Sequence, residues 1–121
     1  MRKSLKKSLA NIPLEEAHGG SGLRQVVFLK EEVGPSNFEA VTKGFLNQGK
    51  KYEIHKHEQV DEIFVVLKGS GKVRYFYSDN KVEEFEYKEG DFFYNVADVE
   101  HEIESLSEAT SEFYFIRFKA V

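Results

Sequence analysis

Cysteine is absent from all 121 residues. A disulfide framework, a zinc ribbon and a thiol nucleophile are therefore excluded. Long apolar runs are absent as well. The longest unbroken aliphatic or aromatic stretch is Ile63 to Leu67, far short of the ~20 residues that a bilayer-crossing helix needs. The N-terminus carries Arg2, Lys3, Lys6 and Lys7 but no apolar segment of the kind a secretory signal requires. No Asn-x-Ser/Thr acceptor occurs. These absences make a cytoplasmic location the default expectation. Net charge is only −4, from 17 basic and 21 acidic residues. Without a cationic surplus, neither nucleic acid nor a membrane surface is an expected partner.

Cofactor and nucleophile motifs are missing too. Gly69-Ser70-Gly71-Lys72 lacks the upstream glycine of a phosphate-binding loop, and Val73 stands where Ser or Thr is required. Gly19-Gly20-Ser21-Gly22 runs into Leu23 and makes no nucleophile elbow. No G-x-G-x-x-G follows a strand, so no nucleotide cofactor is expected. What remains is a 14.0 kDa chain with 40% hydrophobic and 31% charged residues. That is one globular domain, able to bury about 65% of its unfolded surface.

The abundant signal is β. Eleven Phe and six Tyr fall mostly in short runs bounded by Gly, Asn, Asp or Ser. The pattern predicts strands over 24–30, 39–46, 52–57, 61–67, 72–77, 81–87, 91–94, 99–104 and 112–119, with no long helix. Turn residues separate them, as in Gly34-Pro35-Ser36-Asn37, Lys68-Gly69-Ser70-Gly71 and Ser78-Asp79-Asn80. Short strands at this spacing predict an all-β sandwich or barrel over 23–121. Residues 1–22 read as a basic leader, partly ordered or packed on the barrel or on a second copy, with a flexible break from His18 to Gly22. His18 itself reads as structurally neutral.

Side chains alternate faces along a strand, so parity assigns directions. Between Val99 and Glu104 the three glutamates share one face, and His101 shares the other with Val99 and Ile103. His101 is therefore predicted to point inward. Glu62 shares a face with Phe64 and Val66, where a carboxylate needs a partner or a cation. His55 and His57 are two apart and face one side, with Cβ atoms about 6.5–7 Å apart. Both can then reach one ion at about 2.0–2.2 Å. Glu62 from a neighbouring strand and His101 from across the barrel complete a shell of three imidazoles and one carboxylate. That shell leaves coordination positions open.

The spacing Gly49-x5-His55-x-His57-x4-Glu62-x6-Gly69 resembles the first motif of the cupin superfamily at every position. A shuffled chain of this composition would carry it only about twice in ten thousand trials. The second motif is matched by Gly90 and His101, while Val96, Asp98 and Ser105 replace its proline, second glycine and asparagine. The resemblance covers about residues 40–119. It implies a double-stranded β-helix, or jelly-roll barrel. It also implies one divalent metal (Fe, Mn, Ni or Zn) on His55, His57, Glu62 and His101, and often a homodimer. The family is functionally broad. A metal-dependent enzyme of dioxygenase or isomerase type, acting on a small organic molecule, is one expectation. A non-catalytic module binding a sugar or carboxylate around a structural metal is the other. No catalytic acid or base stands out beyond the ligands, and Glu53 reads as a solvated strand-end residue. Ile63, Val65 and Leu67 form an apolar stripe that another strand or a second subunit would cover.

Overall fold

Alternation of apolar and polar residues sets ten strands among the described residues, which in the computed structural model are 5–20, 22–34 and 36–120. Arg2, Lys3, Ser21 of the predicted break, Pro35 of the predicted turn and the side chain of His18 lie outside them. The strands are β1 (Glu15–Ala17), β2 (Gly22–Leu29), β3 (Phe38–Leu46), β4 (Lys51–His55), β5 (Val60–Lys68), β6 (Gly71–Phe76), β7 (Val82–Tyr87), β8 (Phe92–Asn95), β9 (Glu100–Ser105) and β10 (Ser111–Lys119). One helical turn, α1 (Lys30–Val33), links β2 to β3. Among the described residues no helix is long and apolar enough to cross a membrane.

Two antiparallel sheets face each other as a jelly roll. Six strands run in the order β1-β2-β3-β10-β5-β8, and four in the order β4-β9-β6-β7. Sheets joined this way bury alternate residues of each strand. On β5 these are Glu62, Phe64 and Val66, and on β10 they are Ser111, Phe113 and Phe115. Tyr52, Val73, Tyr75, Tyr87 and Ile103 meet them from the smaller sheet. Each such buried apolar side chain contributes about 1.5–3 kcal/mol. Edge-on rings bridge the sheets, with Tyr52 on Phe115 at 5.9 Å and Tyr87 on Phe113 at 5.4 Å.

The turn between β5 and β6 shows why its glycine is needed. Gly69 has φ +92°, and a Cβ there would collide with Ser111. Asp98 stands where the cupin pattern has glycine, and it also sits in the left-handed region, at φ 66°. Aspartate is among the few residues that tolerate that conformation.

Three local features differ from the sequence reading. The segment before Gly22 supplies strand β1, paired with β2 through Glu16 and Leu23. The Gln25 side chain holds the backbone just before it, donating to the carbonyls of Leu9 and Ile12 at 3.0 and 2.9 Å. Strand β4 stops at His55, so His57 lies just beyond it. Glu102, placed by parity on the outer face, is only 5% exposed. Arg74 explains that burial: its guanidinium bonds Glu102, Glu104 and Glu84 together and covers the face.

Candidate metal centre

Strand register brings the predicted residues into two rows and reverses two expected placements: His101 lies on β9, paired beside β4, and Glu62 comes from the facing sheet. On the smaller sheet His55 pairs with His101, His101 with Tyr75, and Tyr75 with Glu83. On the larger sheet Ala40 pairs with Arg117, Arg117 with Glu62, and Glu62 with Asn95. His57 follows β4, and its carbonyl accepts the Asp98 N–H at 3.1 Å.

One feature of β4 aims the site. Tyr52 and His55 are an odd number of residues apart, yet both point inward. The register shifts between them, so that Tyr52 pairs with Ile103 and His55 with His101. Such a bulge adds a residue to one strand and switches the face that follows. Glu53 and Ile54 are left exposed.

The imidazoles of His55, His57 and His101 offer ring nitrogens that all lie within 4.8 Å of one another. The His55 Nδ1 lies 2.6 Å from the carbonyl of Glu53, and that of His101 lies 3.3 Å from the carbonyl of Val99. A carbonyl can only accept, so each Nδ1 carries the proton and each Nε2 keeps its lone pair. The Nε2 atoms of His57 and His101 are buried and have no hydrogen-bond partner among the described residues. Leaving such atoms unpaired costs about 1–3 kcal/mol each. A cation between them removes that cost, so the residues present fit a divalent transition ion.

Glu62 is 1% exposed and faces this group. Its Oε2 lies 3.6 Å from His57 Nε2, and its Oε1 lies 3.8 Å from His101 Nε2. Both oxygens also accept from the larger sheet. Arg117 Nε donates to Oε2 at 2.7 Å, and Asn95 Nδ2 donates to Oε1 at 2.9 Å. Tyr75 in turn donates its hydroxyl to Asn95 Oδ1. Burial alone would favour a protonated carboxyl. The Arg117 charge and the imidazoles outweigh it and hold Glu62 below the ordinary carboxylate range.

Burial also sets the histidines. It lowers His57, against the pull of Glu62. It pushes His101 down to about 4, helped by His55 and opposed by Glu62. Both rings thus remain neutral in the fold at a pH where the unfolded chain protonates them. The unfolded state binds more protons between about pH 6.5 and 4, so metal-free protein loses stability as pH falls through that window. We expect a loss of about 3 kcal/mol from His101 over this range, read by urea unfolding at successive pH values. Stability that stayed level or rose on acidification would contradict the burial of a neutral His101.

A cavity of about 20 Å³ adjoins the histidines, with Arg24, Arg117, Thr42, Phe115 and Tyr52 among its walls. That is room for one ion or water with little to spare. Sequence reading found the three histidines and Glu62 but missed Arg117 and Asn95. The signal for Arg117 was present, since it continues the inward parity of Phe113 and Phe115. Asn95 follows Phe93 in the same way. Knowing that both flank Glu62 required the pairing of β5 with β8 and β10.

The model of the cupin domain family matches residues 45–117. No curated protein sequence matches the chain. Solved structures share its fold at low identity. The oxalate decarboxylase of Lactobacillus farciminis, in its formate complex, superposes with TM-score 0.80 at 19% identity, over 98% of this chain and 34% of that one. The Bacillus subtilis oxalate decarboxylase, whose Mn(II) centres have been studied, gives TM-score 0.78 at 21% identity, over 100% and 31%. The cupin domain of Schizosaccharomyces pombe Cnp3 gives TM-score 0.76 at 15% identity, over 95% and 74%. The chain spans about a third of the length of the oxalate decarboxylases, which it matches at 34% and 31% coverage.

Proposed function

The chain belongs to the cupin domain family, and on that footing we propose that it is a metal-dependent enzyme acting on a small carboxylate. His55, His57, His101 and Glu62 would hold one divalent transition ion. The observation that carries this reading is the pair of buried, unpartnered Nε2 atoms on His57 and His101, facing Glu62. When bound, the ion supplies a positive centre that polarises a ligand oxygen, and a redox-active one also supplies electrons for oxygen chemistry.

The chain's own residues set what can bind. Arg24 and Arg117 line the cavity, and each already has a carboxylate partner, Glu15 and Glu62 respectively. The cavity of about 20 Å³ is filled by the ion alone, so a carboxylate would reach it only with wall side chains moved aside. Ala17, Ile103 and Phe115 form the apolar part of its wall. Arg117 and Asn95 fix the Glu62 carboxylate in one orientation. Two structural neighbours are oxalate decarboxylases, one in complex with formate. Formate and oxalate are small carboxylates, the class of molecule proposed here.

The test is calorimetric titration of formate and oxalate into manganese-loaded and metal-free protein, followed by a turnover assay. We expect saturable binding only with metal present. Equal binding to both forms would overturn the proposed centre. The tight cavity favours a second reading, a non-catalytic carboxylate-binding module. Metal-dependent binding without turnover would select that reading over the enzyme.

A further inference from the structure

We propose that the cleft between β7 and β8 is a binding site for a small organic cation bearing an alkylated ammonium group. The inference does not depend on the metal centre. Strand β7 ends the smaller sheet and β8 ends the larger one. Between these edges lies a cleft of about 390 Å³, within the size range of small-molecule sites.

The walls are mostly aromatic. Tyr75, Tyr77, Phe85 and Phe93 line the cleft, and Phe92, at 73% exposed, stands at its rim. Phe85 crosses Tyr75 at 73° with centroids 6.0 Å apart, and crosses Phe93 at 65° and 6.1 Å. Rings crossed at these steep angles give the hollow aromatic walls of more than one orientation. Such a cage recognises alkylated ammonium groups.

Charge points the same way. Among the described residues no lysine or arginine lines the cleft, and its one ionisable acid is Glu83. Tyr77 donates its hydroxyl to Glu83 Oε1 at 2.5 Å, which orients the carboxylate. Glu83 has no ion pair among the described residues, whereas its neighbour Glu84 pairs with Lys72 and Arg74. Parity explains the contrast. Glu84 faces outward with Arg74, and Glu83 faces inward in register with Tyr75. Strand β7 thus turns an uncompensated carboxylate and Phe85 toward the hollow.

Choline and its neutral isostere 3,3-dimethyl-1-butanol test the proposal by NMR titration of metal-free protein. The ring protons of Phe85 and Tyr77 are the readout. We expect choline to bind saturably and the isostere about 2- to 30-fold more weakly, the span of a cation–π contribution. Glu83→Gln, which can still accept from Tyr77, should weaken choline several-fold and leave the isostere unchanged. Phe85→Leu should weaken choline and keep the fold, since Phe85 is partly exposed on an edge strand. Equal affinity for choline and isostere would overturn the proposal, as would unchanged choline binding in Glu83→Gln. Shifts that follow protein concentration rather than choline would make the cleft a contact with a second copy and would also overturn it.

Discussion

Replacing Arg117 with methionine should destabilise the metal-free protein by about 3–5 kcal/mol, the usual cost of stranding one partner of a buried ion pair. Glu62 is 1% exposed and takes its strongest contact from Arg117 Nε at 2.7 Å. Methionine keeps much of the side-chain length and removes the charge. Asn95 then supplies the remaining side-chain hydrogen bond to Glu62, too little to hold an ionised carboxylate away from water. Three consequences separate this from a packing defect. The deficit should shrink as pH falls, because a protonated Glu62 needs no cation. It should shrink when a divalent ion is added, because the ion replaces the missing charge. Most of it should disappear in Arg117→Met/Glu62→Gln. Urea unfolding of the single and double variants, with and without Mn(II), measures all three. A loss below about 1 kcal/mol in Arg117→Met, in the range of an exposed pair, would mean that Glu62 does not depend on Arg117.

The second large effect falls on metal affinity. His101→Ala should weaken divalent-ion binding by more than about 100-fold, since loss of an outer partner alone can cost that much. The barrel should survive. His101 sits on β9 between Val99 and Ile103, and Ile103 remains in the core with Tyr52, Val73 and Phe115. Its removal also takes away a buried nitrogen with no hydrogen-bond partner, which offsets part of the cavity it leaves. His57→Ala should act in the same direction. Competition against a chelating dye gives the affinity, and far-ultraviolet circular dichroism checks the fold. Unchanged affinity in a folded His101→Ala protein would remove this residue from the centre.

The parts of the site that could be read from sequence are those set by local geometry. Glu62, Phe64 and Val66 alternate within one uninterrupted strand, so parity alone turned the carboxylate inward. The same held for Val99, His101 and Ile103. Residues that depend on distant chain segments were not legible. Arg117 meets Glu62 only because β10 pairs with β5, far along the chain. The bulge between Tyr52 and His55 shows itself only against its partner β9. Strand β1 is three residues long, Glu15-Glu16-Ala17, too short for alternation to show. The burial of Glu102 was not legible either, because parity says which face a side chain takes and nothing of what lies over that face. Arg74, from the neighbouring strand, is what covers it.

Anomalous diffraction from crystals soaked in Mn(II) would locate the ion without reference to any activity. One strong peak per chain is expected, about 2.0–2.2 Å from the Nε2 atoms of His55, His57 and His101 and within reach of a Glu62 oxygen. A peak held by other residues, or none at saturating ion with the three rings in place, would contradict that assignment.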